Sequence, residues 1–545
     1  MRATFGQTLF SFKSAFWYSN LIELCERWAY YGVRAGIAVY MVTAVAFGGL
    51  AFDHLQKANI FFWWAAFQSL LPTFIGGFAD RYGYKRTVSV AVILSVLGYI
   101  NMSLHTDYWP FFIACMMVAT GTAIFKPGIQ GIIAHSTNSQ NASLGWSFFY
   151  MMVNVGGFTG PLIAGYLRLM SWRYVFITSA IMHSLNLLIV LFVKEPESEV
   201  ARRREQSGSV TGISESNAGN AGNAGNASNA IFGIINSIVI RVKEFFSVFW
   251  LAVKNLADPG LAIFLLIFSG FWLMFMQLFD LLPNFITDWV DTASVSIFFG
   301  KIFSNTEWIA YGVAGKQLPA EWLINLDAGA VILLMLLIGW FCSRMHPVAA
   351  IVVGMLVATV GLLVSGYTMS PWICCAGIFI FAIGEMIASP RKSEYLAMIA
   401  PPGKKGLYMG YVNFPQGIGW MIGSKIAGPI YQYNGDKLTL AKKYLSTHLG
   451  MSEEAIKGIP PERVLDVLTQ KLGHANSMET TTFLFNFYHP ENIWWIFCAI
   501  GMASMLCMVA YYLLVVKKRR LVDDAEVSIS GGSCPVERKI NGVTA

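Results

Sequence analysis

Twelve long apolar runs most restrict what this chain can fold into. A helix needs about 20 residues to cross the roughly 30 Å of hydrocarbon in a bilayer, and every run is at least about that long. The runs are continuous, whereas the strands of a membrane β-barrel alternate over about ten residues. The sequence therefore predicts an all-α membrane protein with about twelve transmembrane helices. The predicted spans are residues 15–48, 57–79, 87–106, 108–132, 145–167, 173–193, 259–288, 322–343, 348–368, 372–398, 405–432 and 490–516.

The composition excludes several other classes of protein. Charged residues make up only 13% of the chain and hydrophobic residues 55%, whereas soluble domains carry about 25% charged residues. A soluble enzyme, a disordered scaffold and a nucleic-acid binder are therefore excluded. The sequence shows no phosphate-binding loop, nucleophile triad or metal cluster, and its 8 cysteines have neither metal nor disulfide spacing. We therefore expect no enzyme activity, no metal and no cofactor.

The apolar runs divide into two halves of six. We predict an N-terminal six-helix bundle in residues 1–194, a linker in 195–258, a C-terminal six-helix bundle in 259–516 and a tail in 517–545. The linker contains a low-complexity Asn-Ala-Gly repeat, which cannot bury a core, followed by an amphipathic helix predicted at about 231–256.

Basic residues indicate the orientation in the membrane. They cluster after the second, sixth, tenth and twelfth spans, and they contribute to a net charge of +7. The positive-inside rule places these segments, and hence both termini, in the cytoplasm. The polar insert at 433–489, between the eleventh and twelfth spans, then lies outside. We expect a multi-pass protein of the plasma or inner membrane, in contact with lipid and with a small-molecule substrate.

The first span carries four charged residues, which are costly in lipid. Each ionised group near the bilayer centre costs at least about 2.5–3.5 kcal/mol. At 100° per residue, the four charges and two tyrosines fall within an arc of about 140°. That face must line a polar cavity, although a buried ion pair with a purely structural role is the alternative. The six residues are Glu23, Glu26, Arg27, Tyr30, Tyr31 and Arg34.

Four further polar residues interrupt apolar runs. Lys126 lies in the fourth span, Asn154 in the fifth, Asp280 near the end of the seventh and Glu385 in the tenth. Each has a simpler alternative: snorkelling for Lys126, polar glue between helices for Asn154, surface exposure for Asp280 and a structural role for Glu385. Together with the first span, they form separated cations and anions that suit a zwitterionic substrate. Carboxylates whose surroundings alternate can also take up and release protons.

Several motifs resemble those of the proton-dependent oligopeptide transporter family, POT/PTR, within the major facilitator superfamily. The segment Glu23-x-x-Glu26-Arg27-x-x-Tyr30-Tyr31-Gly32 resembles the family's ExxERFxYYG signature, with Trp28 in place of the usual Phe. The joint occurrence of the motifs, in order and in the right spans, is specific. The other matching segments are Lys126-Pro127, Phe149-Tyr150-x-x-Val153-Asn154-x-Gly156, Gly384-Glu385 with Ser389-Pro390, and the superfamily loop Gly76-Gly77-x-x-Asp80-Arg81-x-Gly83-x-Lys85-Arg86.

The resemblance implies a major facilitator fold, with two six-helix bundles around a midplane site and alternating access. It implies symport of di- or tripeptides, energised by the proton gradient. The implied proton-coupling residues are Glu23, Glu26, Arg27 and Glu385. The implied substrate-binding residues are Arg27, Tyr30, Tyr31, Arg34, Lys126, Asn154, Asn325 and Glu385. The implied gate pairs are Lys126 with Glu385 and Arg34 with Asp280.

Besides Trp28, the chain departs from the family pattern at three places. The usual acid of the seventh helix is replaced by Met276, so that either Asp280, one turn further along, substitutes for it or the gate is lost. Two extra cations, Arg391 and Lys392, follow the tenth-helix motif. Leu326 follows Asn325, where Pro is commoner in the family, and Asp327 comes next. We hypothesise that the extra cations favour an anionic peptide or another acid.

Two other functions remain open. The same charged cluster could serve a proton-coupled transporter of another small organic anion. Alternatively, the chain could be a membrane sensor or scaffold that does not transport and whose linker and insert bind partners.

Overall fold

The computed structural model describes residues 11–72, 79, 83–138, 141–194, 258–342, 345–400 and 411–517. These residues are helical or irregular, and none of them lies in a β-strand. The all-α membrane fold is therefore confirmed. The predicted linker with its amphipathic helix and the tail beyond residue 517 lie outside the described residues, as does most of the superfamily loop between the second and third spans.

Six helices form the N-terminal half. Helix α1 packs mainly against α5 and α6, and α3 packs against α4 and α6. Glycines allow α1 and α5 to approach closely: a Cβ on Gly156 would lie 2.8 Å from Cβ of Arg27, and one on Gly160 would collide with the carbonyl oxygen of Trp28. The helices are α1 (Ser14–Val42), α2 (His54–Ala65, continued by a π-helical turn Ala66–Leu70), α3 (Tyr84–Leu104), α4 (Tyr108–Ser136), α5 (Ala142–Met170) and α6 (Trp172–Phe192).

The C-terminal half contains interrupted helices. The seventh span consists of α7 (Pro259–Phe275), α8 (Gln277–Asp280) and α9 (Leu282–Trp289). Pro283 has no N–H group, so it cannot close the helical hydrogen bond to the carbonyl of Phe279. That carbonyl accepts a hydrogen bond from Arg34 of α1 instead, at 3.4 Å. A proline therefore helps to join the seventh span to the first.

The remaining helices complete this half and its insert. A short helical hairpin, α10–α11, lies between the seventh and eighth spans. The insert forms the four helices α17 to α20. The bounds are α10 (Ala293–Ile302), α11 (Thr306–Val313), α12 (Ala320–Ile324), α13 (Leu326–Cys342), α14 (Pro347–Gly366), α15 (Pro371–Ile399), α16 (Phe414–Asn434), α17 (Lys437–Thr447), α18 (Glu453–Lys457), α19 (Val464–Leu472), α20 (Ser477–Tyr488) and α21 (Ile493–Tyr511, continued by a π-helical turn Tyr512–Val516).

Eight helices of the described residues are long and apolar enough to cross a membrane. The other four predicted spans correspond to α1, α2, the broken pair α12–α13, and α16. Helix α1 carries four charges, and the break at Asn325 divides the eighth span into two short pieces. The spans that sequence hydropathy identifies least clearly are therefore mostly those that carry polar groups or breaks.

The insert packs against both halves at one end of the bundle, which we name the insert end. The indole N–H of Trp289 on α9 donates to the carbonyl of Gly435 at 2.8 Å. The amine of Lys437 donates to the carbonyl of Asp288 at 2.6 Å, and the imidazole Nε2 of His54 on α2 lies 3.4 Å from Oδ1 of Asp436. The insert is thus anchored to α9 and α2.

Candidate functional site

The charged face of α1 lies inside the protein. Glu23, Glu26 and Arg27 are 0%, 2% and 1% exposed, whereas Leu21 on the same helix is 43% exposed. Arg27 donates from Nε to the Glu26 carboxylate, and its Nε lies 3.4 Å from Oε1 of Glu23. The charges predicted to avoid lipid are therefore shielded from it by packing against the other helices.

Several polar atoms of this cluster lack hydrogen-bond partners among the described residues. Both carboxylate oxygens of Glu23 and the Nη2 nitrogen of Arg27 are buried without a hydrogen-bond partner among the described residues. Buried polar groups in folded proteins are normally paired, so unpaired ones indicate a constraint other than stability. The half-buried Lys126 of α4 is a charged neighbour of Glu23, Glu26 and Arg27. A protonatable group here can change which partner Arg27 holds.

Two tyrosines extend the cluster along α1. The guanidinium of Arg27 lies 4.9 Å from the ring centre of Tyr30 and 5.7 Å from that of Tyr31. The hydroxyl of Tyr30 donates to Oε1 of Gln68 at 2.8 Å. Tyr30 is buried and Tyr31 is half-buried. Gln68, which lies on the π-helical turn of α2, carries no sequence signal that would have identified it.

Arg34 of α1 forms a buried ion pair with Asp280 of α8. Asp280 also accepts hydrogen bonds from the indole of Trp420 at 2.7 Å and from the hydroxyl of Ser424 at 3.2 Å, both on α16. It is 2% exposed, so the alternative of a surface residue is wrong. Met276 stands where the family usually has the acid of the seventh helix. Asp280, one turn further along, provides the acid that pairs with Arg34 instead.

Other polar contacts join the two halves at the insert end. Lys57 of α2 donates to Oδ1 of Asn284 at 2.8 Å, and Asn284 donates to the carbonyl of Ala38 at 3.1 Å. Arg168 of α5 pairs with Glu321 of α12 at 2.6 Å. Sequence reasoning missed these residues because charges near span ends are common and cheap. They join the two halves at the insert end.

The C-terminal half contributes a second group of charges. Asp327 on α13 and Glu385 on α15 are charged neighbours in this half, and Oδ1 of Asp327 is buried without a hydrogen-bond partner among the described residues. No ion pair joins Lys126 to Glu385 among the described residues, so the gate pair implied by the resemblance is not formed here. The charged neighbours of Glu385 in its own half are instead Asp327 and Lys392.

The two extra cations of α15 have different surroundings. Arg391 pairs with Glu394 on the same helix. Lys392 is buried, with its amine 4.5 Å from the ring centre of Trp272, and its charged neighbours are Glu385 and Lys126. Only Lys392 therefore adds an inward-facing positive charge.

The two asparagines implied for the substrate site hydrogen bond to backbone carbonyls. Asn325 donates to the carbonyl of Phe158 on α5 at 2.7 Å, which links the halves at the break between α12 and α13. Asn154 donates to the carbonyl of Tyr150, one turn earlier on α5, at 2.8 Å. Their oxygens remain as acceptors.

Two helical halves that meet around buried, oppositely charged residues define an integral, multi-pass membrane protein of the transporter type. The model of the Major Facilitator Superfamily matches residues 27–424. The chain belongs to the Major Facilitator Superfamily.

Relatives and a solved structure lie in the branch that the motifs indicate. The chain is 23% identical over 450 residues to "Peptide transporter YePEPT" of Yersinia enterocolitica, covering 75% of this chain and 86% of the relative. It is 32% identical over 149 residues to a "Di-/tripeptide transporter" of Lactococcus lactis, covering 26% of this chain and 30% of that one. A crystal structure of a peptide transporter POT in complex with sulfate shares the fold, with a TM-score of 0.61, 19% identity and coverage of 95% and 97% of the two chains. The resemblance to POT transporters is therefore confirmed.

Proposed function

We propose that this protein is a proton-coupled symporter that imports di- and tripeptides or peptide-like solutes by alternating access. The observation that carries the proposal is the buried cluster of Glu23, Glu26 and Arg27, in which two carboxylates compete for one guanidinium. Intramembrane ionisable groups of this kind mark substrate and proton pathways. The printed names of the relatives supply the substrate class.

The cluster can couple proton uptake to substrate binding. A proton taken up by Glu26 neutralises the carboxylate that holds Arg27, which frees the guanidinium for another anion. Arg27 and Lys126 then bind the carboxylate of the peptide, and Tyr30 and Tyr31 line the site. Because protonation frees Arg27, proton binding and substrate binding favour each other, as linkage requires.

The carboxyl groups of the C-terminal half suit the other end of the substrate. Glu385 faces the same interior from α15, and a peptide ammonium group is its natural partner. The free oxygens of Asn154 and Asn325 can accept hydrogen bonds from that group. A zwitterion bound in this way bridges the two halves.

The ion pairs at the insert end suit one state of an alternating-access cycle. Arg34–Asp280 and Arg168–Glu321 each connect the two halves, so both must break for that end to open. With both termini in the cytoplasm, the insert end faces outward, and a joined outer end is what alternating access requires of the inward-facing state.

Uptake into proteoliposomes tests the proposal. A labelled dipeptide should accumulate when an inside-alkaline gradient is imposed and should only equilibrate without one. Glu26→Gln should abolish accumulation and preserve exchange, because the fixed neutral side chain cannot cycle a proton. Glu454→Gln, an exposed position in the insert, is the matched control and should behave as the unmodified protein. Full accumulation by Glu26→Gln would refute the coupling role.

A second candidate, transport of another small organic anion, is favoured by the inward-facing Lys392. Proton-driven uptake of such an acid that dipeptides do not inhibit would select it. Full biological activity of Glu26→Gln without transport would instead support the sensor or scaffold.

A further inference from the structure

A lysine is buried in the C-terminal half without a counter-ion in contact. Lys392 of α15 is 7% exposed, and its amine lies 4.5 Å from the ring centre of Trp272 on α7. Neither an ion pair within 4 Å nor a hydrogen bond joins this amine to the described residues. Lysine is almost never fully buried unless it is paired. An ammonium group that lies against an aromatic face and touches no carboxylate is therefore suited to bind an anion that comes from outside the protein.

Two more hydrogen-bond donors at this place lack partners. The indole of Trp272, against which the amine of Lys392 lies, is 5% exposed. Its N–H group and the hydroxyl of Ser389, one turn before Lys392 on α15, are buried without a hydrogen-bond partner in the described part of the chain. An ammonium group and an indole N–H donate and cannot accept, and a hydroxyl can also donate. A carboxylate is the kind of group that satisfies such donors.

Ser389 and Lys392 lie on the same face of α15 as Glu385. Residues 385, 389 and 392 are four and three apart, which places them on one face of a helix. Glu385 and Lys392 are two turns apart, about 10 Å along the axis, and the long lysine side chain shortens that distance. The proposed function assigns Glu385 to the ammonium group of a peptide. The side chain of the first residue leaves the same carbon atom as that ammonium group, so it can reach Lys392 most directly.

We propose that Lys392, Trp272 and Ser389 form a subsite for the acidic side chain of the first residue of a transported peptide. This inference rests on the proposed peptide transport and names its preferred substrates, which are dipeptides that begin with glutamate or aspartate. The subsite binds a second carboxylate, in addition to the one at the end of the peptide. Arg391, the adjacent cation, takes no part because Glu394 already pairs with it.

Competition between two peptides of nearly the same shape tests the subsite. Glutamyl-alanine and glutaminyl-alanine differ in the charge of the first side chain. Each peptide is used at pH 7 and zero membrane potential to inhibit uptake of labelled alanyl-alanine into proteoliposomes, and the ratio of the two inhibition constants is measured. The unmodified protein should bind glutamyl-alanine about 10- to 100-fold more tightly, which is the range for a hydrogen bond to a charged group. Alanyl-glutamate, whose acidic side chain is on the second residue, should inhibit less well than glutamyl-alanine.

Variants assign this preference to one side chain. Lys392→Gln should reduce the ratio to about one, because the charge that distinguishes the two peptides is gone. Lys392→Arg keeps the charge and should keep most of the preference. Arg391→Gln removes the adjacent cation and is the matched control, with the ratio of the unmodified protein. A ratio in Lys392→Gln as large as that of the unmodified protein would overturn the subsite.

The outcomes separate this inference from the proposed function. If Lys392→Gln does not fold, the unmodified protein decides alone: equal inhibition by glutamyl-alanine and glutaminyl-alanine would overturn the subsite and leave dipeptide transport intact. A preference confined to the first residue would support it. If no dipeptide inhibits or is taken up, the subsite and the proposed function both fail. Thermal stabilisation of the purified protein by the two peptides should give the same order of affinities without transport.

Discussion

Replacement of Asp280 by asparagine should open the insert end of the bundle. Arg34 and Asp280 are both almost fully buried, so solvent does not screen their interaction. Removal of one partner of a buried ion pair costs about 3–5 kcal/mol, because the other charge is left uncompensated. Asparagine keeps the shape and one acceptor for Trp420 or Ser424, so the cost should lie near 3 kcal/mol.

The cost destabilises only the state in which the insert end is closed, because the two residues belong to opposite halves and pair only in that state. A penalty of about 3 kcal/mol lowers the ratio of closed to open molecules by about 100-fold. Distances between spin labels at the exposed residues Val45 and Glu307, which lie in opposite halves, report this population. Asp280→Asn should shift the distance distribution towards long values.

Two comparisons sharpen this experiment. Asp466→Asn, at an exposed position of the insert, should leave the distribution unchanged. The double variant Arg34→Leu with Asp280→Leu should recover much of the closed population, because it leaves no buried charge unpaired. A distribution for Asp280→Asn that matches that of the unmodified protein would refute the role of this ion pair in closure.

Three further predictions concern packing, coupling and pH. Gly160→Leu should lower the melting temperature and abolish uptake, because any Cβ there meets the carbonyl of Trp28 and forces α1 away from α5; a normal melting curve would contradict this. Lys126→Ala should lose both proton coupling and substrate affinity, measured as gradient-driven uptake and as ligand-induced thermal stabilisation, and unchanged values in both would exclude it from the site. Burial alone would raise the pKa of Asp436, but the neighbouring His54 and a hydrogen bond from a backbone N–H lower it overall. The ionised Asp436 therefore stabilises the protein above about pH 4, and this stabilisation is lost as the pH falls below that. Asp436→Asn should reduce the dependence of the unfolding free energy on pH in the acid range, and an unchanged dependence would refute this.

The interior position of the α1 charges could be predicted from the sequence because charged side chains are rarely exposed to lipid. Four ionisable residues on one face of a long apolar helix cannot insert unless that face is shielded. Periodicity then assigns Glu23, Glu26 and Arg27 to the same side. The fold could be predicted because the family motifs occur in the expected order and in the expected spans.

Contacts between distant residues could not be predicted in this way. Nothing local indicates that Lys57 meets Asn284 or that Arg168 meets Glu321, because each pairing depends on how two helices cross. The hairpin α10–α11 was missed because its helices of 10 and 8 residues are far shorter than a span. Short apolar segments are ambiguous without the tertiary structure around them.

The glycines between α14 and α15 limit how the C-terminal half can deform. A Cβ on Gly361 or Gly384 would strike the backbone of the opposite helix, so the two helices interlock along their length. Glu385, which directly follows Gly384, must therefore move together with both helices. In this half, bending during turnover is then left to the interrupted seventh span, at Met276 and at the turn before α9, and to the break at Asn325 in the eighth span.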